Sequence, residues 1–201
     1  MAREKIKVFV SSVVYGFEDS ISQICATINS FKSKNNEYEV WNSHIGTIYN
    51  PPGCKIKESC LKAVNECDYF LGIILPRYGS GITHVEFSLA IKLNKPRVFL
   101  SHFSVRYARE ILAQYMYSDR EGRVKNPAFK FEKTGVFEDS RIIDMYNEAI
   151  QDDQPVGSRQ WAQEFGYKKG DELLFVETTF RNIDRFKEDL VNLKKLKEGP
   201  I

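Results

Sequence analysis

From Ile6 to Ser11 the residues alternate and then turn continuously apolar, the pattern of a buried strand, which ends on the hydroxyls of Ser11 and Ser12. Gly16 breaks the run. Beyond it, Ile21, Ile24, Cys25, Ile28 and Phe31 recur at offsets of three and four, the apolar stripe of an amphipathic helix. Glu18 and Asp19 fall in its first turn, where carboxylates complement the dipole, and Lys32, Lys34 and Asn35-Asn36 close it. Tyr38 to Trp41 reads as a short strand, followed by a polar loop from Asn42 to Gly53. A second helix is expected from about Lys55 to Glu66, with Ile56, Cys60, Leu61 and Val64 inward. Tyr69 to Leu75 is apolar without alternation, so both faces of that strand should be covered, as in a parallel sheet between helices. A loop from Pro76 to Gly81 leads to a third helix, Thr83 to about Leu93; Lys95-Pro96 stops it, and Arg97 to Ser101 forms a fourth strand.

Strand and helix therefore alternate through the first half, which predicts an α/β fold with a doubly wound parallel sheet, ligands binding outside the carboxyl ends of the strands. The second half is less regular. Tyr107 to Tyr117, Ser140 to Ile150 and Arg181 to Leu196 read as helices, residues 119–135 as loop, and Asp171 to Phe180 as either strand or helix. No repeat and no Gly/Ser/Pro linker separates the halves. Residues 1–101 are expected to be the α/β core and 102–201 a mainly helical elaboration packed on the same domain, with Trp161 and Phe165 helping it dock.

A chain of 201 residues, 42% apolar, can bury roughly 70% of its unfolded surface and needs neither disulfide nor metal to stabilise one core. Net charge is +2, from 29 Lys+Arg against 27 Asp+Glu. Neither half carries the positive excess that gives affinity for a phosphate backbone, so nucleic acid is not expected as a partner. No apolar run approaches a membrane span, and Met1-Ala2-Arg3-Glu4-Lys5 has no secretory h-region behind it, so a cytoplasmic protein without a membrane partner is expected. Cys25, Cys54, Cys60 and Cys67 should then be reduced thiols, and their spacing fits no zinc pattern, so no metal is expected.

Glu86 is the main candidate for chemistry, and two readings stand beside each other. Thr83-His84-Val85-Glu86 matches a capping box, in which Thr83 and Glu86 satisfy each other's backbone donors. The same carboxylate also lies just after a Gly-rich loop at the end of a central strand, where this fold class binds ligands. Arg77-Tyr78-Gly79 could hold a phosphate and stack on a base, or supply a surface charge and a packing ring. Ser11 and Ser12, with Phe17 after the turn at Gly16, could present hydroxyls and backbone donors, although no GxGxxG or P-loop is present. Trp41 stands at a strand end, and His44, His84 and His102 form no Ser–His–Asp or HExxH arrangement.

The ordered set Lys7-Val8-Phe9-Val10-Ser11-Ser12, Cys60-Leu61 with Val64, Glu66 to Ile73, Arg77-Tyr78-Gly79, Thr83, Glu86-Phe87, Ala90 and Lys95-Pro96 resembles a bacterial TIR-like family of unknown function whose first strand reads VFVSS. That family is related to TIR domains and nucleoside deoxyribosyltransferases. The resemblance spans residues 5–101 and implies a flavodoxin-like fold. It implies an enzyme that cleaves NAD+ between nicotinamide and ribose, releasing or cyclising ADP-ribose in antiphage defence, with Glu86 at the catalytic position. The implied substrate-binding set is Ser11, Ser12, Phe17, Trp41, Arg77, Tyr78, Gly79, Thr83 and His84. NAD+ would be substrate, with no separate cofactor; partners would be further copies, through TIR-like contacts, and an effector that senses the product. A non-catalytic nucleotide-binding or assembly module and a nucleoside deoxyribosyltransferase are the other functions the resemblance allows. Family members carry a longer Gly/Ser loop and a Ser-Tyr-Thr-Glu run where this chain has Ile82-Thr83-His84-Val85-Glu86.

Overall fold

A computed structural model describes residues 3–119 and 124–198. Part of the 119–135 stretch read as loop, residues 120–123, lies outside the described residues, as do Met1 and Ala2. The first half runs β1 (Glu4–Ser12), α1 (Glu18–Ser30), β2 (Asn36–Trp41), α2 (Ile56–Glu66), β3 (Tyr69–Ile74), α3 (Ile82–Lys92) and β4 (Arg97–His102). The second half adds α4 (Phe103–Met116), α5 (Arg141–Ile150), β5 (Ala162–Phe165), α6 (Asp171–Phe180) and α7 (Ile183–Glu198).

Among the described residues the five strands of the sheet are all parallel, in the order β2-β1-β3-β4-β5. The chain winds outward from β1 to β2, then crosses to β3 on the other side, so the switch point lies between β1 and β3. The alternation of β1 explains the two layers. Val8 and Val10 face a core shared with α1, α6 and α7, whereas Phe9 faces a core shared with α2, α3 and α5. This is the flavodoxin-like α/β arrangement with helices on both faces. Phe9, Phe70, Phe87 and Phe99 are fully buried in the second of these cores, with the Phe70 and Phe87 rings edge to face at 5.5 Å. In the first, Tyr38, Tyr69, Phe180 and Phe186 form an aromatic cluster that fastens the C-terminal helices to the sheet.

The second half and the start of β2 add to these expectations and overturn one, the docking role of Trp161. Residues 162–165 form a fifth strand paired with β4, so the second half contributes to the sheet itself as well as to its covering. The 171–180 segment, open between strand and helix, is helix, and its Val176 and Phe180 are fully buried. Phe165 is buried but Trp161, expected to help dock this half, is 68% exposed, because it precedes the strand and points away from both cores. Asn35-Asn36 also does more than end α1: Asn36 opens β2 and is buried. Among the described residues no helix is long and apolar enough to cross a membrane.

Candidate functional site

At the carboxyl ends of β1 and β3, at the switch point, a cavity of about 340 Å³ opens between the loop after β1, α2 and the start of α3. Glu86, on α3, is only 4% exposed and lines it. Two local features put the carboxylate there. Gly81 adopts φ +79° as the N-cap of α3, so the helix begins at Ile82, one residue earlier than expected. Gly72 on β3 faces α3 with no side chain, and a Cβ there would lie 2.6 Å from Phe87. The helix thus packs close to the sheet, and Glu86 reaches β1.

The reciprocal cap expected of Thr83 and Glu86 does not form. Thr83 lies inside the first turn rather than at the cap, and no side chain caps this helix end. Glu86 instead accepts a hydrogen bond from the Ser11 hydroxyl, Oγ to Oε2, and the Cys60 thiol on α2 lines the same cavity beside it. Ser11 faces Glu86 because it shares the sheet face of Phe9, two residues before it. Burial raises the Glu86 pKa, and the Ser11 hydrogen bond and the neighbouring Cys60 thiol offset only part of that shift. Burial, with the adjacent Glu86 carboxylate, pushes the Cys60 thiol up to about 12, so it is a neutral thiol beside that carboxylate. The result is a carboxylate at the floor of a cleft, shielded from water and held by the Ser11 hydroxyl, suited to meeting positive charge that develops nearby.

Ser11, Ser12, Gly79, Thr83 and Glu86 line this one cavity together with Ser43 and Tyr15. The remaining candidates lie elsewhere. Phe17 and Arg77 line a neighbouring cavity on the other side of Tyr15. Trp41 lines a third, between β2 and α2; its indole N–H donates to Glu39 at 3.1 Å, and the Lys7 ammonium sits 4.8 Å over its ring. Tyr78 and His84 point into the α5 side: the Tyr78 hydroxyl meets His84 Nδ1 at 2.8 Å, and His84 Nε2 meets Glu148 at 2.9 Å. Burial pushes the Glu148 pKa up, but hydrogen bonds from His84 and Ser88 outweigh it, and the net direction is down. Arg141 covers the Tyr78 ring at 4.3 Å, and Glu138 accepts from the Tyr78 N–H at 3.1 Å. These two residues therefore anchor the 76–81 loop to the second half, and Gly79 and Ser80 of that loop form the cavity wall.

Cys60 and Ser43 were not singled out as site residues by the sequence. Cys60 reads as a small hydrophobe on the inward stripe of α2, and only the fold shows that this stripe also borders Glu86. Ser43 is positioned by Asn42, whose buried amide donates to the Val10 carbonyl at 2.8 Å and accepts from the His44 and Ile45 N–H groups. Among the described residues no three His, Cys, Asp or Glu side chains come together as a metal site.

The fold and cleft define a doubly wound α/β protein with a buried carboxylate at its switch point. Residues 7–159 match the family described as a domain of unknown function, DUF4062, and the chain belongs to that family. No curated protein matches the sequence at a significant level. Among solved structures, the chain is similar to a 2-desoxiribosyltransferase from Leishmania mexicana at 15% identity and a TM-score of 0.39, over 71% of this chain and 97% of that one. It is also similar to a conserved protein from Enterococcus faecalis V583 at 9% identity and a TM-score of 0.42, over 87% and 99%.

Proposed function

We propose that this protein is an enzyme that breaks an N-glycosidic bond, acting on NAD+ between nicotinamide and ribose to give ADP-ribose or its cyclised form. The observation that carries the reading is Glu86, a buried carboxylate held by Ser11 on the floor of a cleft at the switch point. The bond from ribose C1′ to the pyridinium nitrogen breaks with both electrons going to nitrogen. Nicotinamide leaves neutral and needs no proton. A glycosidase acting on a neutral ether oxygen uses two carboxyl groups, one of them as acid; here one carboxylate suffices. Glu86 accepts hydrogen bonds from the ribose hydroxyls and stabilises the positive charge that develops on the sugar ring. Water, losing a proton to solvent, or the adenine of the same molecule then captures C1′.

The cationic substrate and the buried carboxylate suit each other electrostatically, since a positive ring beside Glu86 offsets the cost that burial places on its anion. The sequence resemblance to TIR-like proteins supports NAD+ as substrate. It also supports a place in bacterial antiphage signalling, in the cytoplasm, with further copies and a product-sensing effector as partners and no separate cofactor. The test is product analysis by mass spectrometry after incubating purified protein with NAD+ and, separately, with a deoxynucleoside and a second free base. Nicotinamide with ADP-ribose or its cyclic form is the expected outcome. Base exchange on the deoxynucleoside, with NAD+ intact, would replace this reading with a deoxyribosyltransferase, and binding without any product would make the chain a nucleotide-binding module.

A further inference from the structure

Beside the Glu86 cleft, at the same edge of the sheet, lies the second cavity, of about 330 Å³, over the ends of β3, β4 and β5. A two-loop partition separates them. The Arg77 guanidinium lies 3.7 Å from where a Cβ on Gly16 would sit, and Val13 lies 3.2 Å from where one on Gly79 would sit. Tyr15, on top of this partition and exposed, lines both cavities. Arg77, Lys168 and Lys169 line the second cavity, and none has an ion-pair or side-chain hydrogen-bond partner among the described residues. One carboxylate, Glu172, opposes them; it is buried and accepts from Ser20.

The backbone that carries the two lysines is pinned. Asp171 accepts from the backbone N–H groups of Gly166, Tyr167 and Lys168 at 2.8, 3.1 and 3.2 Å, which pins the β5–α6 loop and leaves its lysines at the cavity rim. His102 Nδ1 accepts from the Ser104 N–H, so the proton is on Nε2, a further donor at the wall. Phe17 and Phe165 pack together beneath, with centroids 5.6 Å apart, and give the cavity an apolar floor. Unpaired cations around such a hollow are the chemistry that recognises phosphate oxygens. Lys168 and Lys169 lie beyond residue 159, where the family match ends.

We propose that this second cavity holds the phosphates of the nucleotide whose glycosidic bond lies at Glu86, so that the substrate crosses the Tyr15 partition. The inference rests on the function proposed above and adds to it a phosphate subsite built partly from the segment outside the family match. A nucleoside without phosphates would use the Glu86 cleft alone. The experiment compares the parent with Lys168→Ala/Lys169→Ala, whose exposed side chains contribute nothing to either core. Inorganic pyrophosphate binding is measured by calorimetry, and steady-state kinetics are measured on NAD+ and on nicotinamide riboside. Losing two cations partly open to water should weaken pyrophosphate about tenfold and raise KM for NAD+ about tenfold, with kcat within about twofold and the riboside unaffected. Pyrophosphate that binds neither protein, or both equally, overturns the proposal, as does an equal loss on NAD+ and riboside. If neither NAD+ nor the riboside is turned over, the glycosidic reading fails, and the pyrophosphate arm still decides whether the cavity binds phosphates.

Discussion

Replacing Gly72 by alanine tests whether the close seating of α3 on the sheet is what delivers Glu86 to Ser11. Gly72 pairs with Ser11 on one side and Phe99 on the other. Its added Cβ would lie 2.6 Å from Phe87 Cζ and 2.6 Å from Phe99 Cδ1, whereas ordinary contact begins at 3.4 Å. The shortfall is about 0.8 Å, and neither ring has room to yield: both are fully buried, and their centroids are 5.0 Å apart. Lifting α3 relieves the contact with Phe87, while the contact with Phe99, which stands on the sheet beside Gly72, remains as overpacking. Overpacking of this kind costs about 1–3 kcal/mol, which for a chain of this size lowers the melting temperature by roughly 2–12 °C. Glu86 adjoins Phe87, so a lift of that size draws its carboxylate from Ser11, and a misplacement near 1 Å costs about 100-fold in turnover. Thermal melts and NAD+ turnover of Gly72→Ala, alone and with Phe87→Leu to restore space, measure both effects. A Gly72→Ala protein that melts within about 1 °C of the parent would refute the packing argument, given the expected overpacking cost. So would a loss of turnover, unaccompanied by destabilisation, that Phe87→Leu leaves untouched.

Glu86→Gln should melt higher than the parent at neutral pH. Because the folded protein raises the Glu86 pKa, it holds that proton more tightly than the unfolded chain does, so the parent loses stability as pH rises from the ordinary value of 4.5 through the folded value. The advantage of the glutamine variant should vanish when melts are run below that window, and a variant less stable than the parent at neutral pH would contradict the sign. Turnover needs the anion, so its acidic limb should fall above the ordinary carboxylate range. Cys60→Ala removes a polar neighbour that lowers the Glu86 pKa and should move that limb to higher pH, while Cys60→Ser leaves it in place. A pH–rate profile unmoved by Cys60→Ala would separate that thiol from the carboxylate.

The strands of the first half were legible because burial on both faces leaves a run such as Tyr69 to Leu75 few alternatives. β5 escaped notice for the opposite reason. It has four residues, Gln163 and Glu164 are only partly buried, and its pairing with β4 supplies most of what defines it. Glu86 could be singled out from the loop and helix around it, but its partner could not. The Thr-x-x-Glu spacing favours a local cap, and only Gly81 in the left-handed region, with Gly72 beneath Phe87, turns the carboxylate toward a serine 75 positions away. For Tyr78 and His84 the deciding partners, Glu138, Arg141 and Glu148, come from the second half, and nothing in the local sequence indicates them.

The central claim is that the Glu86 carboxylate acts on the ribose. Its most direct test follows nicotinamide release from NAD+ by proton NMR, in matched samples of the parent and Glu86→Gln that are both shown to be folded. The account predicts steady release by the parent and a loss of at least about 100-fold in the variant, the scale of removing one preorganised electrostatic group. Release at the same rate from both proteins would contradict it.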